Sequence, residues 1–425
     1  MANTMEFSGL FNKSFLPYMA QPQLLYAYFE ARPGGGTRGA STARLPLNFS
    51  LVLDRSGSMS GPKITQLREA VRTLIGRLEP TDTVAVVAFN AHSDVLIPAT
   101  NAGNRAVLSE RIGRLEAGGG TKMAPAMRAG LAEIAKARPS HLSSAVASRL
   151  IVLTDGQTTG EDDCRAEADR VAAAGVPLIA LGLGSDWNED LLLDLARRTG
   201  ALGDAFLMKG PEDVGPIFDQ VFTQMKVVAQ DVAFRLLLVQ GVEARRVWQV
   251  TPLIKDITFG AVRGRTVTFG LPELAEGGAA FLVELLIPPR NPGQYRFAQA
   301  QMGYHLPGRP AEEARVDMTA EVTTDPTLAR AVNGRVMNIV EKVTAFKLQT
   351  QALDDAARQD IANATRKLRA AHTMLLEQGE VELAQNALAE AERLESGQGL
   401  SSEGRKTIKL SSSKTVRLSG PGDRD

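Results

Sequence analysis

Between Leu45 and Met225 the sequence alternates between short apolar runs and segments with helical spacing. The runs Thr83–Phe89 and Ser148–Thr154 have the length and the apolar content of buried strands. Segments such as Lys63–Arg77 repeat apolar residues every three or four positions, which is typical of an amphipathic helix. Alternating strands and helices require right-handed crossovers, so this stretch predicts an α/β fold with a doubly wound, mostly parallel sheet of Rossmann-like type.

The chain on either side of this α/β unit has a different periodicity. After Met225, apolar and polar residues alternate over several short segments, of which Phe281–Ile287 is the most apolar. Many short strands with a period of two predict a β-sandwich. Gln23–Ala31 is also typical of a strand, yet it has no helical partner in the α/β unit. We therefore predict that this strand joins the sandwich and that the α/β unit is an insertion.

The C-terminal part of the sequence returns to helical spacing at Asp325, which predicts a small bundle of antiparallel helices. After Gly397 the composition becomes rich in serine and glycine, which indicates a disordered tail. The predicted domains are an N-terminal segment with a sandwich strand (1–44), the α/β unit (45–227), the β-sandwich (228–324), the helical bundle (325–396) and the disordered tail (397–425).

Composition excludes several classes of function. The chain has 425 residues, and its 48 basic residues equal its 48 acidic ones, so net charge gives no reason to expect nucleic acid or an anionic membrane as a partner. Its one cysteine, Cys164, cannot form an internal disulfide, which fits a reducing compartment. We expect a cytoplasmic protein, because we find neither a signal peptide over Met1–Pro17 nor the roughly 18 apolar residues of a membrane span.

Three loops of the predicted α/β unit carry side chains with oxygen atoms. Asp54, Ser56 and Ser58 follow the apolar start of the run LVLDRSGSMSG, Thr121 ends a glycine-rich loop, and Asp155 directly follows a buried strand. Ligands of open α/β sheets bind beyond the carboxyl ends of the strands, where these loops can converge. The sequence therefore predicts a site made of two carboxylates and three hydroxyls.

This set of donors favours a hard cation. Mg²⁺ prefers oxygen ligands in near-octahedral geometry, whereas zinc and copper sites usually include histidine or cysteine, and this set has neither. Hydroxyl and carboxylate ligands also accept Mn²⁺ and Ca²⁺, so the identity of the metal stays open at this point. Two carboxylates leave a divalent ion formally neutral, and such an ion can still recruit an anionic ligand, for example a carboxylate of another protein.

The constellation resembles the von Willebrand factor type A domain and its metal-ion-dependent adhesion site, whose motif is Asp-x-Ser-x-Ser, a threonine from a second loop and an aspartate from a third. All positions match, as Asp54, Ser56, Ser58, Thr121 and Asp155. The resemblance implies that the serines contact the metal directly and the threonine directly or through water. It implies that the aspartates act largely through water or by hydrogen-bonding to the direct ligands of the metal.

The resemblance covers about residues 45–227. The layout of the whole chain is also similar to bacterial calcium-activated chloride channel-like proteins, in which such a domain is flanked by a β-sandwich. The channel activity is not carried over, because no apolar run is long enough to span a membrane. The resemblance implies a metal-dependent protein-interaction module that binds an acidic residue of a partner. The alternative is a structural scaffold, or an adaptor associated with an AAA+ ATPase, in which the metal only stabilises the loops.

We do not expect an enzyme. An aspartyl-phosphate enzyme usually has a second carboxylate near the nucleophile and a lysine, whereas this chain has Ser56 two positions after Asp54. A serine nucleophile needs an adjacent base, and neither histidine of the α/β unit, His92 or His141, is predicted to lie beside Ser56. The sequence thus gives no catalytic arrangement and no organic cofactor site.

Alternative interpretations remain open for two motifs. Ser58 or Ser60 could cap a helix that begins at Pro62, without any role in metal binding. In the tail, Thr407 and Thr415 lie in two similar basic segments and could be phosphorylated and read by an arginine-lined partner. The simpler interpretation of these segments is a solvated linker.

Overall fold

The computed structural model describes residues 5–34, 45–137, 146–155, 158–184, 187–199, 203–208, 213–307 and 309–414. The chain divides into two compact units. One unit is Arg44–Val227, and the other combines Met1–Ala43 with Val228–Asp425. The first is called the α/β unit below, and the second the sandwich–helix unit.

The elements of the two units follow one another in chain order. Three strands come first, namely β1 (Met5–Phe11), β2 (Phe15–Pro17) and β3 (Gln23–Pro33). The α/β unit then contains the strands β4 (Leu47–Asp54), β5 (Thr83–Phe89), β6 (Ser93–Asn101), β7 (Ala147–Thr154), β8 (Leu178–Leu183) and β9 (Asp204–Met208). Its helices are α1 (Pro62–Gly76), α2 (Arg105–Gly113), α3 (Met123–Lys136), α4 (Glu161–Ala173), α5 (Glu189–Arg198) and α6 (Val214–Met225).

The remainder of the sandwich–helix unit follows α6. Its strands are β10 (Val227–Leu238), β11 (Glu243–Thr251), β12 (Lys255–Asp256), β13 (Val262–Arg263), β14 (Thr266–Ala275), β15 (Ala279–Ile287), β16 (Gly293–His305) and β17 (Ala311–Thr323). Its helices are the short kinked turn α7 (Thr258–Ala261), then α8 (Pro326–Arg330), α9 (Gly334–Ala357), α10 (Ile361–Glu377), α11 (Val381–Glu395) and α12 (Ser402–Leu410).

The sheet of the α/β unit has the strand order β6-β5-β4-β7-β8-β9. All of its pairings are parallel except that of β5 with β6, so the predicted α/β fold with a mostly parallel sheet is confirmed. Every residue of β4 is buried, as expected for a strand covered by helices on both faces. The chain moves outward from β4 in one direction through β5 and returns on the other side at β7. The carboxyl ends of β4 and β7 therefore flank the topological switch point, where ligands of such sheets bind.

Helix α3 packs closely on the two central strands. A Cβ atom at Gly130 would lie 2.8 Å from Leu150 Cδ1, 2.9 Å from Val52 Cγ2 and 3.0 Å from Ser50 Oγ. Glycine at this position lets the helix approach β4 and β7 directly. This packing fixes the loop that precedes α3 beside the ends of both strands.

Two mostly antiparallel sheets form the sandwich of the other unit, with the orders β1-β3-β15-β11-β12 and β13-β14-β10-β16-β17-β2. The short strand β2 is the exception, since it pairs with β17 in parallel. The strand β3 pairs antiparallel with β15, with Phe29 opposite Phe281. A strand that precedes the α/β unit in sequence thus shares a sheet with a strand that follows it. The aromatic rings of Phe29 and Phe234, from opposite sheets, lie 5.2 Å apart at the core of the sandwich.

Helix α9 covers one face of the sandwich. Val336, Ile339, Val340 and Val343 of α9 pack with apolar residues of β3, β11 and β15 in one buried cluster. The Arg335 guanidinium pairs with the buried carboxylate of Glu30 and lies 5.4 Å from the centre of the Tyr28 ring. Helix α9 is therefore held on the sheet by both apolar and charged contacts.

The prediction of a disordered tail over 397–425 is wrong for residues up to 414. Helix α12 forms there and is followed by a 3₁₀ turn at Ser412–Lys414. Ile408 joins the buried cluster of α9, α10 and α11, and the carbonyl of Ser413 accepts a hydrogen bond from the amide of Ile254 at 2.7 Å. The serine and glycine content concealed a helical stripe with spacing i, i+3, i+4. The helical region consequently extends beyond the predicted boundary at 396.

This correction removes the phosphothreonine hypothesis for one of its two residues. Thr407 lies on the inner face of α12 and is only 4% exposed. A kinase needs an accessible hydroxyl, so Thr407 cannot be modified while α12 is packed. Thr415 lies outside the described residues.

Candidate metal centre

Three loops meet at the carboxyl ends of β4 and β7, and backbone hydrogen bonds hold them together. The amide of Arg55 donates to the carbonyl of Phe89 at 2.7 Å, and the amide of Gly118 donates to the carbonyl of Arg55 at 2.8 Å. The amide of Gly57 donates to the carbonyl of Gly119 at 2.9 Å. The first bond thus ties the segment after β4 to the end of β5, and the other two tie it to the glycine-rich loop before α3.

Asp54 is the innermost residue of the site and is fully buried. Its Oδ1 accepts from the backbone amide of Ser56 at 2.8 Å, and its Oδ2 accepts from Thr154 Oγ1 at 2.6 Å. Burial raises the pKa of Asp54 above its ordinary value, the two hydrogen bonds act in the opposite direction, and the nearby charge of Asp155 adds to the increase. The carboxylate is therefore fixed in orientation and lies in a poorly solvated position.

A chain of side-chain hydrogen bonds connects the serines to the second carboxylate. Ser56 Oγ and Ser58 Oγ lie 3.0 Å apart, and Ser58 Oγ donates to Asp155 Oδ1 at 2.8 Å. Asp155 is only 1% exposed. The structure therefore brings Asp54, Ser56, Ser58 and Asp155 into one hydrogen-bonded network, although they come from positions about a hundred residues apart.

Thr121 lies on the neighbouring loop, and its backbone rather than its side chain is engaged. Its carbonyl accepts from the amide and from the hydroxyl of Thr159, each at 3.1 Å, which ties its loop to the segment after β7. Among the described residues, none forms a hydrogen bond with the Thr121 hydroxyl. The loop is thus placed at the predicted edge of the sheet, but the Thr121 side chain is not joined to the network of the other four residues.

Lys63 belongs to the site and was not predicted from the sequence. Its ammonium lies 2.5 Å from Asp155 Oδ2, and its side chain is 33% exposed. Lys63 is in the first turn of α1, where a cation opposes the helix dipole. An unfavourable charge directly after the serine motif is a signal that could have identified this residue.

The helix-cap interpretation of the motif is wrong. The residue that precedes α1 as N-cap is Gly61, with φ of 74°, and no side chain caps the helix there. Ser58 instead donates its hydroxyl to Asp155, and its neighbour Ser60 is exposed. The serines of the motif are therefore available for a role in the site.

The donor set fits a hard divalent cation. Within the described ranges, no group of three or more histidine, cysteine, aspartate or glutamate side chains is arranged to hold a metal. The candidate centre supplies two carboxylates, Asp54 and Asp155, and its other donors are the hydroxyls of Ser56 and Ser58. Oxygen donors alone favour Mg²⁺, Mn²⁺ or Ca²⁺ over zinc or copper, whose sites usually include histidine or cysteine.

The cysteine of the α/β unit lies apart from this chemistry. Cys164 is fully buried on α4, and burial raises the pKa of its thiol to about 11. The thiolate is the reactive form of cysteine, and it is scarce at neutral pH with such a pKa. Cys164 is therefore a core residue.

Two known families match the chain. Residues 48–218 match the von Willebrand factor type A domain, and residues 334–418 match a family described as Sll0103-like, C-terminal alpha-helical domain. The second match includes α12 and ends well beyond the predicted limit of the helical bundle. It agrees with the ordered helices that the structure shows up to residue 410.

Known proteins with similar sequences match parts of the chain. The chain is 32% identical over 274 residues to the uncharacterized protein sll0103 of Synechocystis sp., an alignment that covers 62% of this chain and 63% of that protein. It is 34% identical over 154 residues to inter-alpha-trypsin inhibitor heavy chain H1 of Mesocricetus auratus, with 34% of this chain and 17% of that protein covered. The chain thus spans less than two thirds of the length of these relatives.

Among solved structures, the chain resembles the von Willebrand factor type A protein from Catenulispora acidiphila over nearly its whole length. The TM-score is 0.71, the sequence identity is 23%, and 98% of each chain is covered. At this identity the likeness establishes the fold alone. In the described part of the chain, none of the helices has the length and apolarity that crossing a membrane requires.

Proposed function

Residues 48–218 are a von Willebrand factor type A domain, a module that typically mediates protein–protein interaction, and on this premise we propose a metal-dependent mode of binding. The candidate centre would hold a divalent cation, and the cation would accept a carboxylate from an acidic residue of a partner protein. One observation carries the proposal: Asp54, Ser56, Ser58 and Asp155 form one hydrogen-bonded network at the switch point of the sheet.

The residues of the site would have different roles in binding the cation. Ser56 and Ser58 would supply hydroxyl ligands, and Thr121 would add a third from the next loop. Asp54 and Asp155 would balance the charge, largely through water. A bound cation would supply a Lewis-acid position to which an anionic ligand can attach. Mg²⁺ is the ion we propose, and Mn²⁺ or Ca²⁺ would fit the same donors.

The orientation of the side chains supports this division. Asp54 is held by Thr154 and by the amide of Ser56, so it needs no rearrangement to face the loops. Ser58 already directs its hydroxyl towards Asp155. A site whose donors are fixed before binding loses less conformational entropy when the cation arrives.

The test is partner capture with and without the metal. The full chain, immobilised, is exposed to extract of the source cell in parallel with Mg²⁺ and with EDTA, as wild type, Asp54→Ala and Ser60→Ala. We expect a partner that is retained only with Mg²⁺ by the wild type, lost with Asp54→Ala and retained with Ser60→Ala. Ser60 is the matched control, because it is an exposed serine two positions from Ser58. Capture that ignores both EDTA and Asp54→Ala would refute the proposal.

A scaffold is the second candidate, and the C-terminal helices favour it. They match a family of their own, and α9, the first of them, packs on a face of the sandwich. In this case Mg²⁺ would raise the melting temperature, but partners would be retained equally with EDTA. An adaptor for an AAA+ ATPase would also release its partner in a nucleotide-dependent way, which adding ATP to the same capture experiment would reveal.

The cytoplasm is the compartment that we propose. The single cysteine lies in the protein core with a raised thiol pKa, so the fold does not depend on an oxidising environment. Fractionation of the source cell, with detection of the chain in the soluble cytoplasmic fraction, tests this. Recovery from an extracytoplasmic fraction would contradict it.

A further inference from the structure

The two oxygens of the Asp155 carboxylate have different partners. Its Oδ1 accepts from Ser58 at 2.8 Å, and its Oδ2 lies 2.5 Å from the Lys63 ammonium. Asp155 itself is nearly inaccessible, whereas a third of the Lys63 side chain is exposed. The ammonium therefore forms part of the rim of the candidate centre and reaches inward to a buried charge.

The other cations at this edge of the sheet are engaged differently. The Arg55 guanidinium pairs with the exposed carboxylate of Asp94. Lys122 follows Thr121 with an exposed side chain, and its backbone amide donates to the carbonyl of Asn90. Within the described residues, Lys63 is the cation that the structure pairs with a carboxylate of the centre.

We propose that Lys63 sets the charge of the metal centre, and through it the balance between affinity for the cation and affinity for the anionic ligand. Lys63 cancels one of the two carboxylate charges of the centre. A bound divalent cation then leaves the centre with one net positive charge, where the carboxylates alone would leave it neutral. This inference rests on the proposed function. It identifies Lys63 as the residue that makes the metal centre favour an acidic residue of the partner.

The charge of Lys63 is expected to have opposite effects on two equilibria, the binding of the cation and the binding of the anionic ligand. The ammonium repels the incoming cation, so it weakens metal binding. Once the cation is bound, the same positive charge attracts a carboxylate, so it strengthens the binding of the ligand. A lysine whose role is only to stabilise the loops would not produce opposite effects on these two equilibria.

Metal affinity is measured by calorimetric titration of the full chain with Mg²⁺. Lys63→Met removes the charge and keeps an unbranched side chain only one heavy atom shorter, so its affinity for Mg²⁺ should rise about tenfold, the order of one unit-charge interaction in a hydrated site. Lys63→Arg should behave as wild type. Lys122→Met, which removes a charge from the neighbouring loop, should change the affinity less than about twofold. Equal or weaker Mg²⁺ binding by Lys63→Met overturns the proposal.

Ligand affinity is measured with Mn²⁺ as the metal and acetate as the carboxylate probe. Bound Mn²⁺ enhances the relaxation of water protons, and acetate lowers this enhancement by displacing water from the ion. At saturating Mn²⁺, Lys63→Met should need about tenfold more acetate than wild type, because the attracting charge is gone. An unchanged acetate affinity overturns the proposal, and so does a variant that weakens the metal and the acetate together. If Lys63→Met does not fold, Lys63→Gln makes the same comparison.

The outcomes separate this inference from the proposed function. If wild type gives no Mn²⁺ enhancement, the metal centre fails, and the inference fails with it. If wild type and Lys63→Met show the predicted opposite shifts while partner capture ignores EDTA, the charge-setting role of Lys63 stands, and metal-dependent capture is refuted.

Discussion

The candidate metal centre and the segment around α12 are built from the same kinds of residues and use them in opposite ways. Both are rich in serine, threonine, glycine and lysine. At the ends of β4 and β7 these residues direct polar atoms towards one another at the edge of a sheet, beside a partly exposed lysine. In α12 they form the inner face of a packed helix. The surrounding fold, and not the composition, therefore decides whether such residues form a site or a core.

The contacts of α12 show how a small polar segment becomes a core. Glu390 of α11 is buried and accepts from the amide of Ser401 at 2.7 Å and from the Ser401 hydroxyl. Ser401 Oγ also accepts from the amide of Gly404 at 2.9 Å and so caps the helix. Gly404 leaves room for Glu390, since a Cβ atom there would lie 2.2 Å from the Glu390 Cδ. Ile408 then enters the apolar cluster one turn later.

Among substitutions in and around α12, the largest loss of stability is expected at Ile408. Ile408→Ala should destabilise the helical region by about 3 kcal/mol, because it leaves a cavity among α9, α10 and α11. Hydrogen exchange of the amides of α12 measures this, and they should lose most of their protection. Arg405→Ala, at an exposed position of the same helix, should cost less than about 0.5 kcal/mol. Unprotected α12 amides in the wild type would instead support the prediction that this segment is disordered.

A smaller effect is expected at Gly404. Gly404→Ala should cost about 2 kcal/mol, because the new methyl group would displace a buried carboxylate that is already hydrogen-bonded. Denaturant titration, followed by exchange at α12, measures the change. Gly399→Ala is the control, since nothing lies within 4 Å of the position that its Cβ would take. A Gly404 variant as stable as the control would mean that α11 and α12 are not in close contact.

The smallest of the three effects is expected at the helix cap. Ser401→Ala should cost about 1 kcal/mol, because it removes the acceptor for the Gly404 amide and a donor to Glu390. Ser402→Ala at the next, exposed position should be nearly neutral. Both are compared by thermal melts and by exchange. None of the three core variants should change the affinity for Mg²⁺, and a change would show that the two regions are coupled.

The predictable part of the structure is the part that repeats a pattern. The alternation of strands and helices defines the α/β fold, and the rule that ligands bind at the carboxyl ends of strands places Asp54, Ser56, Ser58 and Asp155 together. A period of two distinguishes the sandwich strands, and the lack of a helix after Gln23–Ala31 separates that strand from the α/β unit.

The unpredicted part depends on which way a side chain points and on what packs above it. Lys63 was missed because the sequence does not show that the first turn of α1 faces the end of β7. Helix α12 was missed because its stripe is short and its inner positions include Gly404, Lys406 and Thr407, which composition alone assigns to a linker. The contact with Glu390, which makes glycine suitable at 404, is tertiary and has no local signature.

Calorimetric titration of Mg²⁺ into wild type, Asp54→Ala and Ser60→Ala measures directly whether this site binds a cation. Asp54 orients the serine loop from a buried position, so its removal should weaken Mg²⁺ binding by about 10- to 100-fold. Wild type and Ser60→Ala should bind one Mg²⁺ with equal affinity. A wild type that binds no Mg²⁺, or an Asp54→Ala variant that binds it as tightly as wild type does, would rule out a metal centre at this position.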